Sequence, residues 1–354
     1  TPVPAGHDVF DFNLVKQVIS PVYIDYLKDV LGGENPVNLT TISLKLSRFV
    51  NGVSFKHAEV SRNMFNNPRI EGITNGVHSA TWTADSFQRI YNQYIPGWDV
   101  DPTHFARAIF IPDEEIWKAH MVAKGKLLRL VQGATKIKMD LNRLTIGFAR
   151  RAAAYKRADL LFHDLERLTN IAKNKVQFVF AGKAHPKDEP GKQLIQKVFQ
   201  AMENLKGKVD IAYLENYDMN LGASITAGVD VWLNTPRRPR EASGTSGMKA
   251  AHNGVLNLSV LDGWWIEGCV EGVTGWAIGP KPNEENLADY DESLDVEDLY
   301  NKLEHVIIPM YYERRSEWIR MMKNTIVINA SYFNTHRMIK EYAFRAYHVA
   351  PIFQ

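Results

Sequence analysis

Three basic side chains with the chemistry to bind phosphate follow one short apolar run. The run covers residues 144–149, and Arg150, Arg151 and Lys156 come directly after it, with Arg157 beside them. We expect these residues to enter a helix, because guanidinium and ammonium groups near a helix N-terminus form anion sites with several charge-assisted hydrogen bonds to each phosphate. A solvated basic turn is the alternative, and spacing alone does not separate the two.

Two further polar segments follow other apolar runs. Gly182 and Lys183 come after residues 176–181, and Glu215-Asn-Tyr217 comes after residues 209–214. Both would face the same cleft if these runs are parallel strands. The alternatives are an exposed loop lysine in the first case and a helix cap with a surface aromatic ring in the second.

The fourth segment is the most informative. Its sequence over residues 239–252 is Pro-Arg-Glu-Ala-Ser-Gly-Thr-Ser-Gly-Met-Lys-Ala-Ala-His. Residues 244–247 can expose backbone N–H groups and hydroxyls at the start of a helix, which suits a phosphate. Lys249 then falls in the first turn, where its amine is a candidate for imine chemistry with a carbonyl cofactor. A helix cap followed by an ordinary lysine stays open as the alternative.

The elements that must position these segments alternate between strand and helix. Residues 8–65 are predicted mainly as helix, with apolar spacing near 3.6 in 10–19 and 42–50, and 113–133 and 295–354 are predicted as helical. Near-continuous apolar strands separated by helices predict an α/β fold with a doubly wound parallel sheet, whose ligands bind beyond the carboxyl ends of the strands. The predicted strands are 144–149, 176–181, 209–214, 229–233 and 255–260.

Composition limits the function classes. The formal net charge is +2, so no global field recruits nucleic acid or an anionic membrane. The single cysteine, Cys269, permits no disulfide within the chain and favours a reducing compartment, the cytoplasm. No apolar run approaches the roughly 20 residues that span a bilayer, and no His, Cys or Glu cluster has metal-ligand spacing.

Competing motifs are incomplete. Ser246 and Lys249 match the Ser-x-x-Lys of penicillin-interactive serine enzymes, but the companion motifs Ser-Asp-Asn and Lys-Thr-Gly are absent from the chain. The Gly-x-x-x-x-Gly-Lys-Ser/Thr phosphate loop and the dinucleotide fingerprint are absent too.

The nine residues Glu241-Ala-Ser-Gly-Thr-Ser-Gly-Met-Lys249 closely resemble the cofactor-lysine motif of the α-glucan (glycogen, maltodextrin and starch) phosphorylases. The resemblance runs in register along nearly the whole chain, and the ending Asn253-Gly-Val-Leu-Asn-Leu-Ser-Val-Leu-Asp-Gly-Trp-Trp265 is typical of the bacterial and archaeal branch. The other matching segments are Thr1-Pro-Val-Pro-Ala-Gly6, Asn51-Gly-Val53, Thr74-Asn-Gly76, Trp82, Arg150-Arg151, Tyr155-Lys-Arg157, Gly182-Lys183 and Glu215-Asn-Tyr217.

This resemblance implies a glycosyltransferase of the GT-B type, a hexosyltransferase. Such an enzyme cleaves the terminal α-1,4 bond of a glucan with inorganic phosphate, yields α-glucose 1-phosphate and retains configuration. Lys249 would hold pyridoxal 5'-phosphate as a Schiff base and act in catalysis with Arg151 and Lys156. The cofactor would also contact Gly244, Thr245, Gly247, Arg150, Trp82 and Tyr217. Arg151 and Lys156 would bind the substrate phosphate, with Tyr155 nearby. The hydroxyls of the transferred glucose would be held by Asn75, Glu241, Ser243 and Gly244.

The resemblance also implies a domain organisation and a partner. Residues 1–73 would be the helical tail of an incomplete first domain, and 74–354 the domain that binds cofactor and glucosyl group. The chain would then be the C-terminal part of a phosphorylase, acting as a homodimer or with the missing N-terminal part. Two alternatives stay open, a nucleotide-sugar glycosyltransferase of the glycogen synthase kind and a non-catalytic glucan-binding fragment. Arg150, where many family members have lysine, is a departure from the pattern.

Overall fold

The computed structural model of the chain describes residues 6–33, 36–281 and 291–348. In chain order the strands are β1 Val9–Phe10, β2 Val37–Asn38, β3 Asn51–Gly52, β4 Glu71–Gly72, β5 Leu144–Ala149, β6 Val176–Ala181, β7 Asp210–Leu214, β8 Val231–Asn234, β9 Leu256–Val260 and β10 Gly275–Ile278. The larger sheet contains β5 to β10, and two pairs of short strands, β1–β2 and β3–β4, lie outside it.

The central sheet has six parallel strands in the order β10-β9-β8-β5-β6-β7. The chain builds outward from β5 through β6 to β7 and then returns to the other side of β5 with β8. The strand order therefore reverses between β5 and β8, and the crevice beyond the carboxyl ends of these two strands is the expected ligand position in such a sheet.

Helices cover the sheet and form the N-terminal and C-terminal segments. A 3-10 helix over Pro102–Phe110 and short π-helical turns near the C-terminus supplement them. In chain order the helices are α1 Phe12–Val18, α2 Pro21–Leu31, α3 Leu39–Leu46, α4 Phe55–Phe65, α5 Ser79–Trp82, α6 Asp85–Tyr94, α7 Asp113–Thr135, α8 Leu165–Ala172, α9 Glu189–Leu205, α10 Met219–Gly228, α11 Ser246–Ala251, α12 Trp265–Gly268, α13 Glu292–Lys302, α14 Ile308–Glu313, α15 Arg315–Thr325 and α16 Thr335–Glu341.

Both faces of the sheet are buried, which explains the near-continuous apolar strands. Phe148 and Phe178 pack into one core cluster, whereas their chain neighbours Ala149 and Val179 pack into a second cluster. Successive side chains of a strand point to opposite faces, so strands with a core on each side carry apolar residues on both faces and not only at alternate positions. The doubly wound parallel sheet predicted from the sequence is confirmed.

The predicted elements are largely confirmed. All five predicted strands exist with ends within two residues, and the helix predicted over 113–133 is α7. The helix predicted over 42–50 is wrong at its end, because α3 stops at Leu46. Strand β10 was not predicted, because its apolar run is short and begins at a glycine. The segment Thr1–Ala5 and the end of the predicted 295–354 helical region lie outside the described residues.

The N-terminal helices have a small core of their own. Phe12, Val15, Ile24 and Val37 form it. Several large apolar side chains of the same region remain exposed, among them Val18, which is 80% accessible. Within the described residues, no helix combines the length and the apolar character needed to cross a membrane.

Candidate functional site

Two cations and one carboxylate meet where the strand order reverses. Arg150 follows β5 directly, and its Nη2 donates to Glu241 Oε2 at 2.7 Å. Lys156 Nζ donates to the same oxygen at 2.9 Å and to Oε1 at 3.2 Å. All three side chains are largely buried. The sheet thus brings together three predicted site residues, although Glu241 lies 85 residues from Lys156 and 91 from Arg150 along the chain.

Burial and mutual charge set the ionisation of this cluster. Burial lowers the pKa of Lys156 to about 8, with Arg150 adding to the effect and Glu241 opposing it. Burial alone would raise the pKa of Glu241, but the two cations outweigh it and hold the pKa below its ordinary value. Glu241 is therefore ionised near neutral pH and Lys156 is mostly cationic.

The cluster keeps an unused donor. Arg150 Nη1 is buried and has no hydrogen-bond partner among the described residues. A buried guanidinium N–H without an acceptor is costly, and an anion is the acceptor that fits it best. Gly244 lies beside this group, since a Cβ placed on it would be 3.9 Å from Arg150 Nη2.

Three predicted residues surround the cluster. The Lys156 ammonium lies 4.7 Å from the centre of the Tyr155 ring. Burial and the Glu241 charge raise the pKa of Tyr155, whereas Arg150 and Arg151 oppose the rise, so all of these groups are close. Arg151 itself is exposed to solvent. Burial likewise raises the pKa of Tyr217 against the nearby charge of Arg150, which places Tyr217 at the same edge.

The expectation that the basic residues enter a helix is wrong. Residues after β5 form a loop with a single 3-10 turn over Ala154–Lys156, so the cations are presented by the loop and not by a helix end. Arg157 turns away from the cluster. Its Nη2 donates to Asp295 Oδ2 at 2.6 Å, and the Nη2 of Arg238 donates to Asp295 Oδ1 at 2.8 Å. These contacts tie the loop before Glu241 to α13.

Lys183 and Glu215 take no part in these contacts through their side chains, which are exposed. The Lys183 carbonyl accepts the N–H of Ala152 at 3.0 Å, and the Gly182 carbonyl accepts the Tyr213 hydroxyl at 3.0 Å. This segment therefore supports the loop that carries Arg150 through its backbone.

Lys249 lies in α11, the short helix after the glycine-rich segment, as predicted. Its ammonium is 3.4 Å from the centre of the Trp82 ring. Burial lowers the pKa of Lys249 to about 8. Within the described part of the chain, the amine makes no hydrogen bond and no ion pair with a carboxylate. It is a half-buried amine held against an aromatic face and ready to deprotonate near neutral pH.

Close packing fixes the residues around Lys249. A Cβ on Gly247 would lie 2.3 Å from Asn257 Oδ1 and 2.7 Å from the Trp264 ring, so only glycine fits there. The hydroxyl of Ser246 accepts the indole N–H of Trp232 at 3.1 Å. Thr245 is the residue before α11, and its hydroxyl makes no capping hydrogen bond.

The predicted sugar-side residues lie in irregular segments. Ser243 is buried, and its hydroxyl donates to the Gly244 carbonyl at 2.9 Å. Asn75 is held through its backbone, whose carbonyl accepts Arg337 Nη2 at 3.0 Å and whose N–H donates to Val53 at 3.0 Å. Among the described residues, the Asn75 side chain makes no hydrogen bond to Glu241 or Ser243.

Sequence reasoning missed residues that hold the site from behind. Asn253 Nδ2 donates to the carbonyls of Trp82 at 2.7 Å and Lys249 at 3.0 Å, and so fixes the ring against the amine. The Ser54 hydroxyl donates to the Ala242 carbonyl at 2.7 Å. Polar side chains that bind only backbone carry no sequence signal of their own, although Asn253 lies in the segment that resembles the bacterial branch.

The fold and the site define an α/β protein with a buried cation–carboxylate cluster at the strand ends and a half-buried lysine packed on an aromatic ring. The family model of the carbohydrate phosphorylases matches residues 24–274. The chain belongs to that family, whose fold is of the GT-B type, and this confirms the resemblance seen in the sequence.

Several curated proteins are similar over nearly all of the chain. Maltodextrin phosphorylase of Thermococcus litoralis is 43% identical over 98% of this chain and 45% of its own length. Glycogen phosphorylase of Aquifex aeolicus is 39% identical over 98% of this chain and 56% of its own length. Glycogen phosphorylase of Mycobacterium tuberculosis is 34% identical over 97% of this chain and 45% of its own length. The chain spans about half the length of these relatives.

Proposed function

We propose that this chain carries the cofactor- and phosphate-binding side of an α-1,4-glucan phosphorylase. The reaction would transfer the terminal α-1,4-linked glucose of a glucan to inorganic phosphate, giving α-glucose 1-phosphate with retention of configuration. One observation carries the proposal: the half-buried Lys249 amine lies on Trp82 with no acidic partner among the described residues, at the same strand ends as the Arg150–Lys156 cation pair.

The residues fit pyridoxal 5'-phosphate. Lys249 supplies an amine that is partly neutral near pH 7, as a covalent link to an aldehyde requires, and the unpartnered Nη1 of Arg150 suits a phosphate oxygen. When bound, the cofactor supplies a phosphate group that can exchange a proton with the substrate phosphate. Trp82 and Tyr217 would line the ring, and the groups around its phosphate would be Gly244, Thr245, Gly247 and Arg150.

The chain's own residues would then bind and orient the substrates. Arg151 and Lys156 would hold the substrate phosphate, with Tyr155 beside them. Below its pKa of about 8, Lys156 is cationic and can serve that phosphate and Glu241 together. The hydroxyls of the transferred glucose would be held by Asn75, Glu241, Ser243 and Gly244.

The ionisation of Glu241 supports phosphorolysis over simple hydrolysis. A glycosidase needs a pair of carboxyl groups, one of them with a raised pKa that lets it act as the acid. Glu241 is ion-paired to two cations and its pKa is lowered, so it suits the binding of hydroxyls and not protonation of a leaving oxygen.

We propose that the division near residue 73 separates the tail of a first domain from the 74–354 domain, and that another polypeptide segment or a second copy covers the exposed N-terminal face. Val18 at the end of α1, and Val22 and Tyr26 one turn apart in α2, are each more than half exposed. The relatives' greater length supports a covering segment. The single cysteine Cys269, partly buried, suits a cytoplasmic protein.

The test is a comparison of ligands on the chain loaded with pyridoxal 5'-phosphate. We expect calorimetry to show binding of glucose 1-phosphate that Lys156→Ala weakens at least tenfold, and no tight binding of ADP-glucose. A phosphorolysis assay with maltooligosaccharide and phosphate then measures whether the chain alone releases glucose 1-phosphate. Tight ADP-glucose binding with no effect of the cofactor would favour a nucleotide-sugar transferase instead.

A further inference from the structure

The segment that carries the proposed sugar-binding residues has no regular secondary structure. Residues 241–245 lie between β8 and α11 as an irregular stretch. Their side chains can hold one geometry only if neighbouring elements fix the backbone, because a free loop of this length samples many conformations.

Asp262 provides such an anchor at the end of the adjacent strand β9. Its Oδ2 accepts the backbone N–H of Glu241 at 2.8 Å, and its Oδ1 accepts the N–H of Gly263 at 2.9 Å. The side chain is 3% exposed. Both carboxylate oxygens are thus used on backbone N–H groups, one of which belongs to the residue that binds Arg150 and Lys156.

A second hydrogen bond joins the two segments, between residues two positions after Asp262 and Glu241. The N–H of Trp264 donates to the carbonyl of Ser243 at 2.9 Å. Gly263 lies between the two bonds with φ of 55°, and a Cβ on it would be 2.2 Å from the Ser243 carbonyl oxygen. Only glycine permits this approach, so the turn 262–264 fits against 241–243 as one unit.

The direction of the contact indicates positioning and not direct binding. Glu241 reaches Arg150 and Lys156 with its carboxylate, while Asp262 holds its N–H from the other side. Burial raises the pKa of Asp262 to about 7, with the two backbone N–H groups opposing the rise. Burying a carboxylate costs free energy unless hydrogen bonds compensate, and here the two backbone N–H groups provide them.

We propose that Asp262 is a positioning residue that sets Glu241 and Ser243 for the glucosyl group, a role that rests on the proposed function. Loss of this anchor should release the 241–245 segment and weaken sugar binding. Cofactor attachment at Lys249 should remain, because α11 is fixed separately through Ser246 and Asn253.

The experiment compares Asp262→Ala, Asp262→Asn and Asp230→Asn in the chain loaded with pyridoxal 5'-phosphate. Asp230 is the control. It is also buried and accepts a backbone N–H, that of Thr145 at 2.7 Å, but its carboxylate also pairs with Lys124 and His120, and it lies just before β8, at the opposite end of that strand from Glu241. Three quantities are measured: the Kd for glucose 1-phosphate, hydrogen exchange of the peptide that contains 241–247, and the fraction of Lys249 modified after borohydride reduction.

We expect Asp262→Ala to raise the Kd at least tenfold and to speed exchange of that peptide at least tenfold, with Lys249 modification unchanged. Asp262→Asn keeps one acceptor oxygen, so its Kd and exchange rate should lie between those of the wild type and Asp262→Ala. It replaces the alanine variant if that variant does not fold. Asp230→Asn should lower the melting temperature without either effect.

Unchanged Kd and exchange in both Asp262 variants would overturn the inference, and so would an equal rise of the Kd in Asp230→Asn. If the wild-type chain binds no glucose 1-phosphate while exchange still speeds up in Asp262→Ala, the proposed function fails and the anchoring of the segment stands.

Discussion

The amine of Lys249 lies 3.4 Å from the centre of the Trp82 ring. Asn253 holds both residues in place through their carbonyls. The aromatic face shields the amine from water, and burial lowers its pKa to about 8. We therefore expect the Lys249 amine to act as a nucleophile, and within the described residues no carboxylate pairs with it.

The reaction of Lys249 with aldehydes should follow its lowered pKa. Only the neutral amine attacks a carbonyl, so the rate should rise about tenfold per pH unit below 8 and level off above it. At pH 7 we expect Lys249 to react on the order of a hundredfold faster than an unperturbed lysine. Brief labelling with pyridoxal 5'-phosphate at pH 6 to 10, borohydride reduction and peptide mass mapping give the profile. A rate that keeps rising to pH 10 would contradict the account.

Removal of the Trp82 ring should move that profile. In Trp82→Ala the amine becomes better solvated, so its pKa should rise towards 10 and labelling at pH 7 should fall roughly tenfold or more. Trp117 is the matched control, because it stacks on Arg315 at 4.0 Å in another cation–π pair. Trp117→Ala should leave the labelling profile of Lys249 in place. The same labelling profile in both variants would show that the Trp82 ring does not lower the pKa of Lys249.

Neutralising Glu241 should destabilise the chain, and added phosphate should restore part of the lost stability. Glu241→Gln leaves the buried cations Arg150 and Lys156 without their carboxylate, which costs on the order of 3 kcal/mol of unfolding free energy. Added inorganic phosphate should stabilise this variant more than the wild type, since an anion can replace the lost charge. Urea unfolding with and without phosphate measures both.

The control for that experiment is Glu215→Gln. Glu215 is exposed at the same edge of the sheet, so the change should stay within about 0.5 kcal/mol with or without phosphate. If Glu241→Gln were as stable as Glu215→Gln, the ion pairs of Glu241 would not contribute to the free energy of unfolding.

A methyl group on Gly247 should displace α11. Its Cβ would meet Asn257 Oδ1 at 2.3 Å and the Trp264 ring at 2.7 Å, so Gly247→Ala should cost roughly 1–3 kcal/mol and lower cofactor retention at Lys249. Gly133 in α7 has nothing within 4 Å of its Cβ position, and Gly133→Ala should stabilise by about 0.5–1 kcal/mol with no effect on the cofactor. Thermal unfolding and the absorbance of bound cofactor separate the two outcomes.

The fold followed from the sequence because strands with a core on each face are apolar at most positions. The strands β5 to β9 stood out for that reason, and the polar residues just beyond several of them then fell at one edge of the sheet. β10 did not stand out, because Gly275–Ile278 is a four-residue run with a glycine at its start. The family resemblance supplied the cofactor and the reaction, which residue types alone left open.

The contacts of the site were only partly predictable. The sequence placed Arg150, Lys156 and Glu241 beyond strands but could not say that they pair, since pairing depends on β8 returning beside β5. It also grouped Arg157 with the phosphate-binding cations, whereas the loop geometry sends it to Asp295. Anchors such as Asp262 and Ser54 bind backbone groups, and the partner of such a bond is visible only in the folded chain.

The most direct test of the central claim is the covalent attachment of pyridoxal 5'-phosphate. The chain is incubated with the cofactor near pH 8, reduced with borohydride and digested for peptide mass mapping. We predict one phosphopyridoxyl group, on Lys249, which is absent in Lys249→Arg and unaffected by Lys183→Ala. An unmodified Lys249, or a modification spread evenly over exposed lysines such as Lys183, would contradict the account.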